Sequence, residues 1–82
     1  MLVEAEIREK LHAFLLKEIL RNPAYPLRDD EPLITGGLIN SFALVQVAAF
    51  IERELGVYLP DREFTVEKMD TLDQMVARVL KA

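Results

Sequence analysis

The chain has 82 residues, of which 51% are hydrophobic, so it is long enough for one core and too apolar for a disordered tail. A domain of this size buries only about 60% of the surface that its unfolded chain exposes, and a self-contained enzyme is therefore not expected. The absence of cysteine excludes disulfides, thiolate zinc sites and a cysteine nucleophile, and the single histidine excludes a histidine metal cluster. The net charge of −4 argues against a nucleic-acid partner.

The excess of acidic residues lies in the middle of the chain. Residues 22–73 hold ten acidic and four basic side chains, whereas residues 1–21 hold four of each. The first six residues carry acids where a secretory signal carries bases, and no apolar run approaches the roughly 18 residues of a membrane span. We therefore expect a cytoplasmic, monomeric protein without a membrane span, whose acidic surface favours basic partners.

Residues 2–20 have the pattern of an amphipathic helix. Apolar side chains recur three or four residues apart between charged ones, at Val3, Ile7, Leu11, Phe14 and Leu15. Pro23 lacks a backbone donor and disfavours helical dihedrals at Asn22, so helix one is expected to end near Asn22. His12 lies within this helix, where we expect a partly exposed imidazole at the edge of the core.

Residues 22–40 predict a long irregular connection. The segment holds three of the four prolines, the triplet Asp29-Asp30-Glu31 and the pair Gly36-Gly37. Its aliphatic side chains indicate an ordered loop that packs on the core, and they are Leu27, Leu33, Ile34, Leu38 and Ile39. We interpret the acidic triplet as a solvated run, because it lacks the ligand spacing of a calcium loop and no aromatic or histidine neighbour is evident.

Helix two is predicted over residues 41–55, with Gly56 as the left-handed residue that follows its end. Its side chains form two rows about half a turn apart. The predicted core row contains Leu44, Val47, Ala48, Ile51 and Leu55, and the second row contains Phe42, Gln46, Ala49 and Arg53.

The last third of the chain predicts one short helix and one longer helix. The short helix falls within residues 61–69, around Val66 to Met69. Thr71 and Gln74 have the spacing of a capping box at the start of a last helix over residues 72–81. Together the patterns predict an all-α single domain over residues 1–82, a small four-helix bundle of three main helices and one short one.

Ser41 is the residue best placed to carry chemistry. Gly36-Gly37 lets the backbone bend, Leu38 and Ile39 anchor the loop, and the hydroxyl is expected at the first turn of helix two. The simplest interpretation is that Ser41 or Asn40 caps the helix. A phosphate ester on Ser41 would also lie in the favourable field of the helix N-terminus.

One stretch of the sequence is more specific than these patterns. Gly37-Leu38-Ile39-Asn40-Ser41-Phe42 precedes an amphipathic helix that ends in Leu55-Gly56-Val57, and Leu59-Pro60 follows. From about residue 33 to residue 80 the chain resembles the acyl and peptidyl carrier proteins. The resemblance implies an acyl-carrier-protein-like bundle in which Ser41 receives 4′-phosphopantetheine from coenzyme A through a separate phosphopantetheinyl transferase.

By this resemblance the chain is a stand-alone acyl or aminoacyl carrier and not an enzyme. It would hold its cargo as a thioester on the phosphopantetheine arm and present it to partner enzymes, namely an acyl- or aminoacyl-activating ligase and a downstream synthase or transferase. The pathway implied is a specialised lipid, polyketide or amino-acid-activating one. The chain departs from the family where Asn40 replaces the usual Asp and Phe42 replaces the usual Leu.

The expected partner-binding surface is the face of helix two that begins beside the attachment site. Its candidate residues are Phe42, Ala43, Gln46, Ala49 and Arg53. This face is less acidic than in fatty-acid carriers, so Phe42 is a candidate aromatic hot spot for a more apolar partner. A cavity for an alkyl chain among core residues (Leu44, Ile51, Met69 and Val76) is the alternative to ordinary core packing, which is the default.

Two other functions remain open from the sequence. A non-catalytic helical adaptor with a carrier-like fold would bind a partner enzyme without being modified. An enzyme that uses Ser41 as a nucleophile is disfavoured, because neither a general base nor an oxyanion hole is recognisable.

Overall fold

The first helix, α1, spans Glu4–Phe14 and continues directly into a π-helix over Leu15–Ile19 in the computed structural model, which describes residues 3–82. The remaining elements are α2 at Ala43–Leu55, a 3₁₀ turn at Asp61–Glu63, α3 at Val66–Met69 and α4 at Leu72–Lys81. The described residues contain no strand, and the predicted all-α four-helix bundle is confirmed. The predicted start of helix one at residue 2 lies outside the described residues.

The core is formed by the facing apolar rows of α1, α2 and α4, closed by α3 and the long loop. Leu44, Val47, Ile51 and Leu55 of the predicted core row are buried, while Ala48 is half-buried. Phe50 is buried as well, and its ring stacks on Phe14 of α1 with centroids 4.2 Å apart. The side chains with less than 2% exposure are Ile7, Leu11, Leu15, Leu33, Val47, Ile51, Met69, Leu72, Met75 and Val76.

The end of helix one differs from the prediction in its winding. The N–H of Leu20 donates to the carbonyl of Leu15 at 2.8 Å, five residues back, which is the hydrogen bond of a π-helix. The chain then reverses at Arg21, whose φ of 54° is left-handed, and the N–H of Asn22 donates to the carbonyl of Leu16 at 2.8 Å. The helix thus ends just before Asn22, as Pro23 predicts.

The connection from helix one to α2 is an ordered loop that is tied to the far end of the bundle. The N–H of Leu33 donates to the carbonyl of Asp70 at 2.7 Å, and Leu38 and Ile39 both donate to the carbonyl of Leu33. Leu27, Leu33 and Ile39 are buried, and Ile34 and Leu38 are half-buried against the core. The prediction that these five aliphatic residues pack is confirmed.

Charged and polar side chains fasten this loop to the helices. Arg8 of α1 contacts Asp29 of the loop at 3.3 Å and Asp73 of α4 at 2.6 Å. His12 is half-buried, as predicted, and its Nε2 lies 3.3 Å from the carbonyl oxygen of Leu27. These contacts join three segments that are distant in sequence.

Asp29 and Asp30 are exposed, as expected for a solvated run, but every member of the acidic triplet has a partner, and that of Asp30 is Arg28 at 3.5 Å. Asp29 pairs with Arg8, and Glu31 accepts a hydrogen bond from the hydroxyl of Tyr25. That hydrogen bond is the main reason why the pKa of Tyr25 is raised and the pKa of Glu31 is lowered. The sequence interpretation overlooked Tyr25 because it lies six residues before Glu31, on the other side of Pro26.

The predicted capping box at the start of α4 is confirmed. The N–H of Gln74 donates to Thr71 Oγ1 at 3.1 Å, and the N–H of Thr71 donates to Gln74 Oε1 at 3.1 Å. The same Gln74 oxygen accepts from the N–H of Asp70 at 2.7 Å. One side chain therefore fixes the tight junction between α3 and α4.

Thr71→Ala is expected to lower the free energy of unfolding by about 1 kcal/mol, the usual effect of removing a helix N-cap. Thr71→Ser keeps a hydroxyl at the cap and should lose less than half of that amount. Urea unfolding, followed by circular dichroism, compares the unfolding midpoints of both variants with that of the chain without substitutions. Equal midpoints for all three proteins would show that the cap contributes nothing.

Candidate functional site

Ser41 lies in the turn that leads into α2, and it is exposed to solvent. It is the single serine of the chain. The α-helix begins at Ala43, two residues after the predicted start, because the chain enters it through 3₁₀-type bonds from Ala43, Leu44 and Val45 to the carbonyls three residues before them. Ser41 therefore lies in the turn immediately before α2 and not, as predicted, in the first turn of the helix itself.

Asn40, and not Ser41, caps this turn. Its Oδ1 accepts a hydrogen bond from the N–H of Ala43 at 3.2 Å. Within residues 3–82 the hydroxyl of Ser41 has no hydrogen-bond partner, and the N–H groups of Ser41 and Phe42 donate to no protein acceptor. The turn therefore offers a free hydroxyl beside two free backbone donors.

The two glycines before Ser41 shape the loop for different reasons. Gly37 has a φ of 81°, a left-handed conformation that side chains other than glycine rarely adopt. Gly36 has no such angle, but a Cβ added there would collide with the carbonyl oxygen of Pro32. The backbone of Pro32 thus passes so close to Gly36 that only glycine fits.

Asp70 holds the other side of this loop, and sequence reasoning missed it. Its Oδ1 accepts from the N–H groups of Ile34 at 2.7 Å and of Thr35 at 3.0 Å, and its Oδ2 accepts from the Thr35 hydroxyl at 2.6 Å. No spacing rule links residues 35 positions apart. The only sequence signal is an acidic residue directly before the capping box, which does not reveal its partners.

These contacts change the pKa of Asp70. Partial burial acts to raise it, but the hydrogen bonds from the Thr35 hydroxyl and from the N–H groups of Thr35 and Ile34 together outweigh burial, so the pKa of Asp70 lies below its usual range. The ionised carboxylate is thus the form that stabilises the loop.

Stability should therefore fall at low pH through Asp70. A carboxyl whose pKa is lowered by folding contributes its full stabilisation above the unfolded value of about 3.9 and loses it as the pH falls through the folded value. Asp70→Asn should be less stable than the unmodified protein at pH 7, and the difference should shrink below about pH 4.

Urea unfolding at pH 7, 4.5, 3.5 and 2.5 measures this difference. Asp61→Asn, at an exposed residue of the 3₁₀ turn, is the control for removal of one negative charge. A difference between Asp70→Asn and the unmodified protein that stays constant across these pH values would contradict the role of the carboxylate.

Beside Ser41 lies a groove of about 790 Å³, which we call the Ser41 groove. The π-helix contributes Ile19 to it, the loop contributes Ile34 and Leu38, and the start of α2 contributes Phe42 and Gln46. None of the side chains that line it is charged, and Ser41 itself is one of the lining residues.

The predicted partner-binding surface is only partly as expected. Phe42 is 75% exposed, and Gln46, Ala49 and Arg53 are exposed as well. Ala43 is 8% exposed, so the prediction that it lies on the exposed face is wrong, because it falls on the buried row with Val47 and Phe50.

Val45 is a part of this surface that sequence reasoning missed. It is 67% exposed and lies three residues after Phe42, on the same side of α2. Its aliphatic character favoured a core position, although the helical spacing from Phe42 was a signal for the exposed face. The two side chains give this end of α2 an exposed apolar patch.

Other kinds of site are not evident in residues 3–82. They hold no cluster of three or more histidine, cysteine, aspartate or glutamate residues suited to a metal ion. None of their helices has the length and apolar character needed to cross a membrane. Leu44, Ile51, Met69 and Val76 are 0–4% exposed members of one core, so the expected core packing is confirmed and the alternative of an alkyl-chain cavity among them is not supported.

No protein-family model matches this chain, and no curated protein matches it at a significant level.

Proposed function

We propose that this chain is a stand-alone carrier protein in which Ser41 bears 4′-phosphopantetheine. In this function it presents acyl or aminoacyl cargo to the enzymes of a specialised lipid, polyketide or amino-acid-activating pathway. One observation carries the proposal: the single serine of the chain has an exposed hydroxyl at the start of α2 that neither caps the helix nor bonds elsewhere within the described residues. A serine retained only as a cap would be expected to bond the helix.

The surroundings of Ser41 suit a phosphodiester. The free N–H groups of Ser41 and Phe42 lie at the N-terminal end of α2, where helix dipoles favour negative charge. Asn40 caps the turn without bringing a carboxylate next to the phosphate. The departure from the Asp of the carrier families is therefore compatible with the ester.

The chemistry at Ser41 is a phosphoryl-group transfer catalysed by another protein. The Oγ of Ser41 forms a bond to the β-phosphorus of coenzyme A, the bond from that phosphorus to adenosine 3′,5′-bisphosphate breaks, and a base of the transferase takes the hydroxyl proton. The bound group supplies a thiol on a flexible arm, which holds the cargo as a thioester. A tether of this kind raises the concentration of the cargo near a docked partner.

The exposed side of α2 supports docking beside the tether. Phe42 and Val45 give it an apolar patch, and Gln46, Ala49 and Arg53 extend it along the helix. Arg53 is held by Glu54 at 3.1 Å. An aromatic anchor with a polar surround is the usual form of an interface hot spot.

Intact-mass spectrometry tests the proposal. The purified chain is incubated with coenzyme A and a broad-specificity phosphopantetheinyl transferase, and fragmentation locates the modification. The expected product carries one phosphopantetheine, on Ser41. If several transferases of different specificity give no adduct, the carrier function is wrong, and a partner enzyme captured by the unmodified chain would then favour the adaptor.

A further inference from the structure

We infer that a basic pocket beyond the end of α2 docks an acidic segment of a partner protein. This pocket, which we call the Tyr58 pocket, has a volume of about 210 Å³ and shares no lining residue with the Ser41 groove. It gives the chain a second contact surface that does not depend on modification of Ser41.

The Tyr58 pocket is built by two segments that are distant in sequence. Residues 58–63, which include the 3₁₀ turn, form one wall, and the last turn of α4 forms the other. Arg78 of α4 contacts the buried carboxylate of Glu63, and Lys68 of α3 lies 3.6 Å from the same carboxylate. Because these ion pairs hold the two walls together in the free chain, a partner would not have to order them on binding.

The charge of the pocket is opposite to that of the chain. The chain has a net charge of −4, whereas the pocket lining has one carboxylate, that of Glu63, and three cationic side chains: Arg62, Arg78 and Lys81. Glu63 is already paired with Arg78, and no acidic side chain within residues 3–82 pairs with Arg62 or Lys81. An acidic segment would therefore meet cations that the fold leaves without partners.

The dipole of α4 does not account for all three cations. Arg78 and Lys81 lie in the last turn of α4, where positive charge is favourable in any helix. Arg62 belongs to the 3₁₀ turn, a different element, and still lines the same pocket. Arg78 also keeps unused donors, since its Nη2 contacts Glu63 while its Nε has no acceptor among the described residues.

An apolar wall beside the cations favours a protein segment over a small anion. Tyr58 is 69% exposed, and the half-buried Pro60 also lines the pocket. Inorganic phosphate would use the cations and leave the tyrosine ring in water. Tyrosine and arginine are enriched among the residues that dominate protein–protein binding energy, so an acidic segment that also carries an aliphatic side chain suits both parts of the pocket.

A partner docked in the Tyr58 pocket leaves Ser41 accessible. α2 separates the two along the chain, and its 13 residues rise about 20 Å. Tyr58 is the third residue beyond the end of this helix, whereas Ser41 precedes its start. The chain can thus be held by one protein while its other end meets a second one.

An NMR titration of the full chain tests the inference. The probe is a capped peptide of glutamate, leucine and glycine residues, and backbone amide resonances of the chain report where it binds. We expect shifts at Tyr58, Arg62, Arg78 and Lys81 that weaken as added salt screens the charges. The same peptide with glutamine in place of glutamate should not produce these shifts.

Three variants localise the binding. Arg62→Glu should raise the Kd of the glutamate peptide about tenfold or more, because like charges then face each other across the interface. Lys17→Glu makes the same change of charge at an exposed residue outside the pocket and should leave the Kd unchanged. Tyr58→Ala should weaken binding without changing its dependence on salt, since it removes an apolar contact and no charge. Arg78 is kept, because its removal would leave the buried carboxylate of Glu63 short of a partner.

Four results would overturn the inference: no shifts in the Tyr58 pocket, equal shifts with the glutamine peptide, an equal loss in Lys17→Glu, or the same shifts at Tyr58 with inorganic phosphate, which would make the pocket a small-anion site. Shifts at these residues when the chain alone is concentrated would make the occupant a second copy and would also overturn it. Ser41→Ala should bind the peptide as the chain without substitutions does. Peptide binding without any phosphopantetheine adduct would therefore reject the proposed function and support the docking pocket.

Discussion

Ser41→Ala is expected to abolish the phosphopantetheine adduct completely while leaving the fold unchanged. In the proposed function the hydroxyl of Ser41 is the nucleophile of the transfer, and the chain has no second serine. Because Ser41 is exposed and does not bond the helix, its removal should change the free energy of unfolding by no more than about 0.5 kcal/mol. Intact mass after co-expression with a broad transferase, together with urea unfolding, measures the two effects.

Asn40→Ala is the matched control, and it should show the opposite pattern. It removes one of the two acceptors of the Ala43 N–H, whose bond to the backbone carbonyl of residue 40 remains, so it should cost about 0.5–1 kcal/mol of stability, while the hydroxyl of Ser41 is retained and should still accept the adduct. An adduct that persists in Ser41→Ala would place the modification elsewhere. A large loss of stability in Ser41→Ala would mean that the serine has a structural role.

The parts of the fold that depend on near neighbours in sequence were predictable. The capping box of Thr71 and Gln74, the left-handed Gly56 with a φ of 69° and the short helix at Val66–Met69 all have local signals, and the structure contains each of them. Such elements arise from bonds between residues a few positions apart, so a spacing rule describes them fully.

The parts that depend on distant partners were not predictable. Asp70 and Thr35 meet only because α3 packs beside the loop, and no pattern in either segment announces the pair. The burial of Ala43 was not predictable either, because an alanine fits the buried or the exposed face of a helix. Which face it occupies depends on how α2 is rotated about its axis against the core. At the candidate site, sequence identified Ser41 and named Asn40 as one of two possible caps, whereas the choice between the two and the groove required the structure.

Gly36→Ala is expected to lower the free energy of unfolding by about 3 kcal/mol, at the upper end of the range for overpacking. The new Cβ would collide with the backbone carbonyl of Pro32, which cannot move aside as a flexible side-chain end can. In a domain of this size such a loss is a large part of the total stability, which is about 0.1 kcal/mol per residue. Urea unfolding gives the value.

Gly37→Ala is the comparison variant, because it replaces a glycine of the same loop with alanine without a collision of the new Cβ. Its Cβ meets no atom within 4 Å, but its φ of 81° places it in the left-handed region, so a loss of about 1–2 kcal/mol is expected. If Gly36→Ala is no more destabilising than Gly37→Ala, the close approach of Pro32 is not a constraint. Both variants should still accept the adduct in the fraction that remains folded, since neither changes the nucleophile.

The π-helical turn at Leu15–Ile19 has a consequence for how this chain can be aligned with others. A π-turn accommodates one more residue than the α-helical turn that it replaces, and each residue of an α-helix rotates the chain by about 100°. A homologue with a continuous α-helix would need a one-residue deletion among these positions to keep Ile19 facing the start of α2. Ungapped alignment through helix one would therefore pair the wrong side chains along the stretch that leads to Ser41.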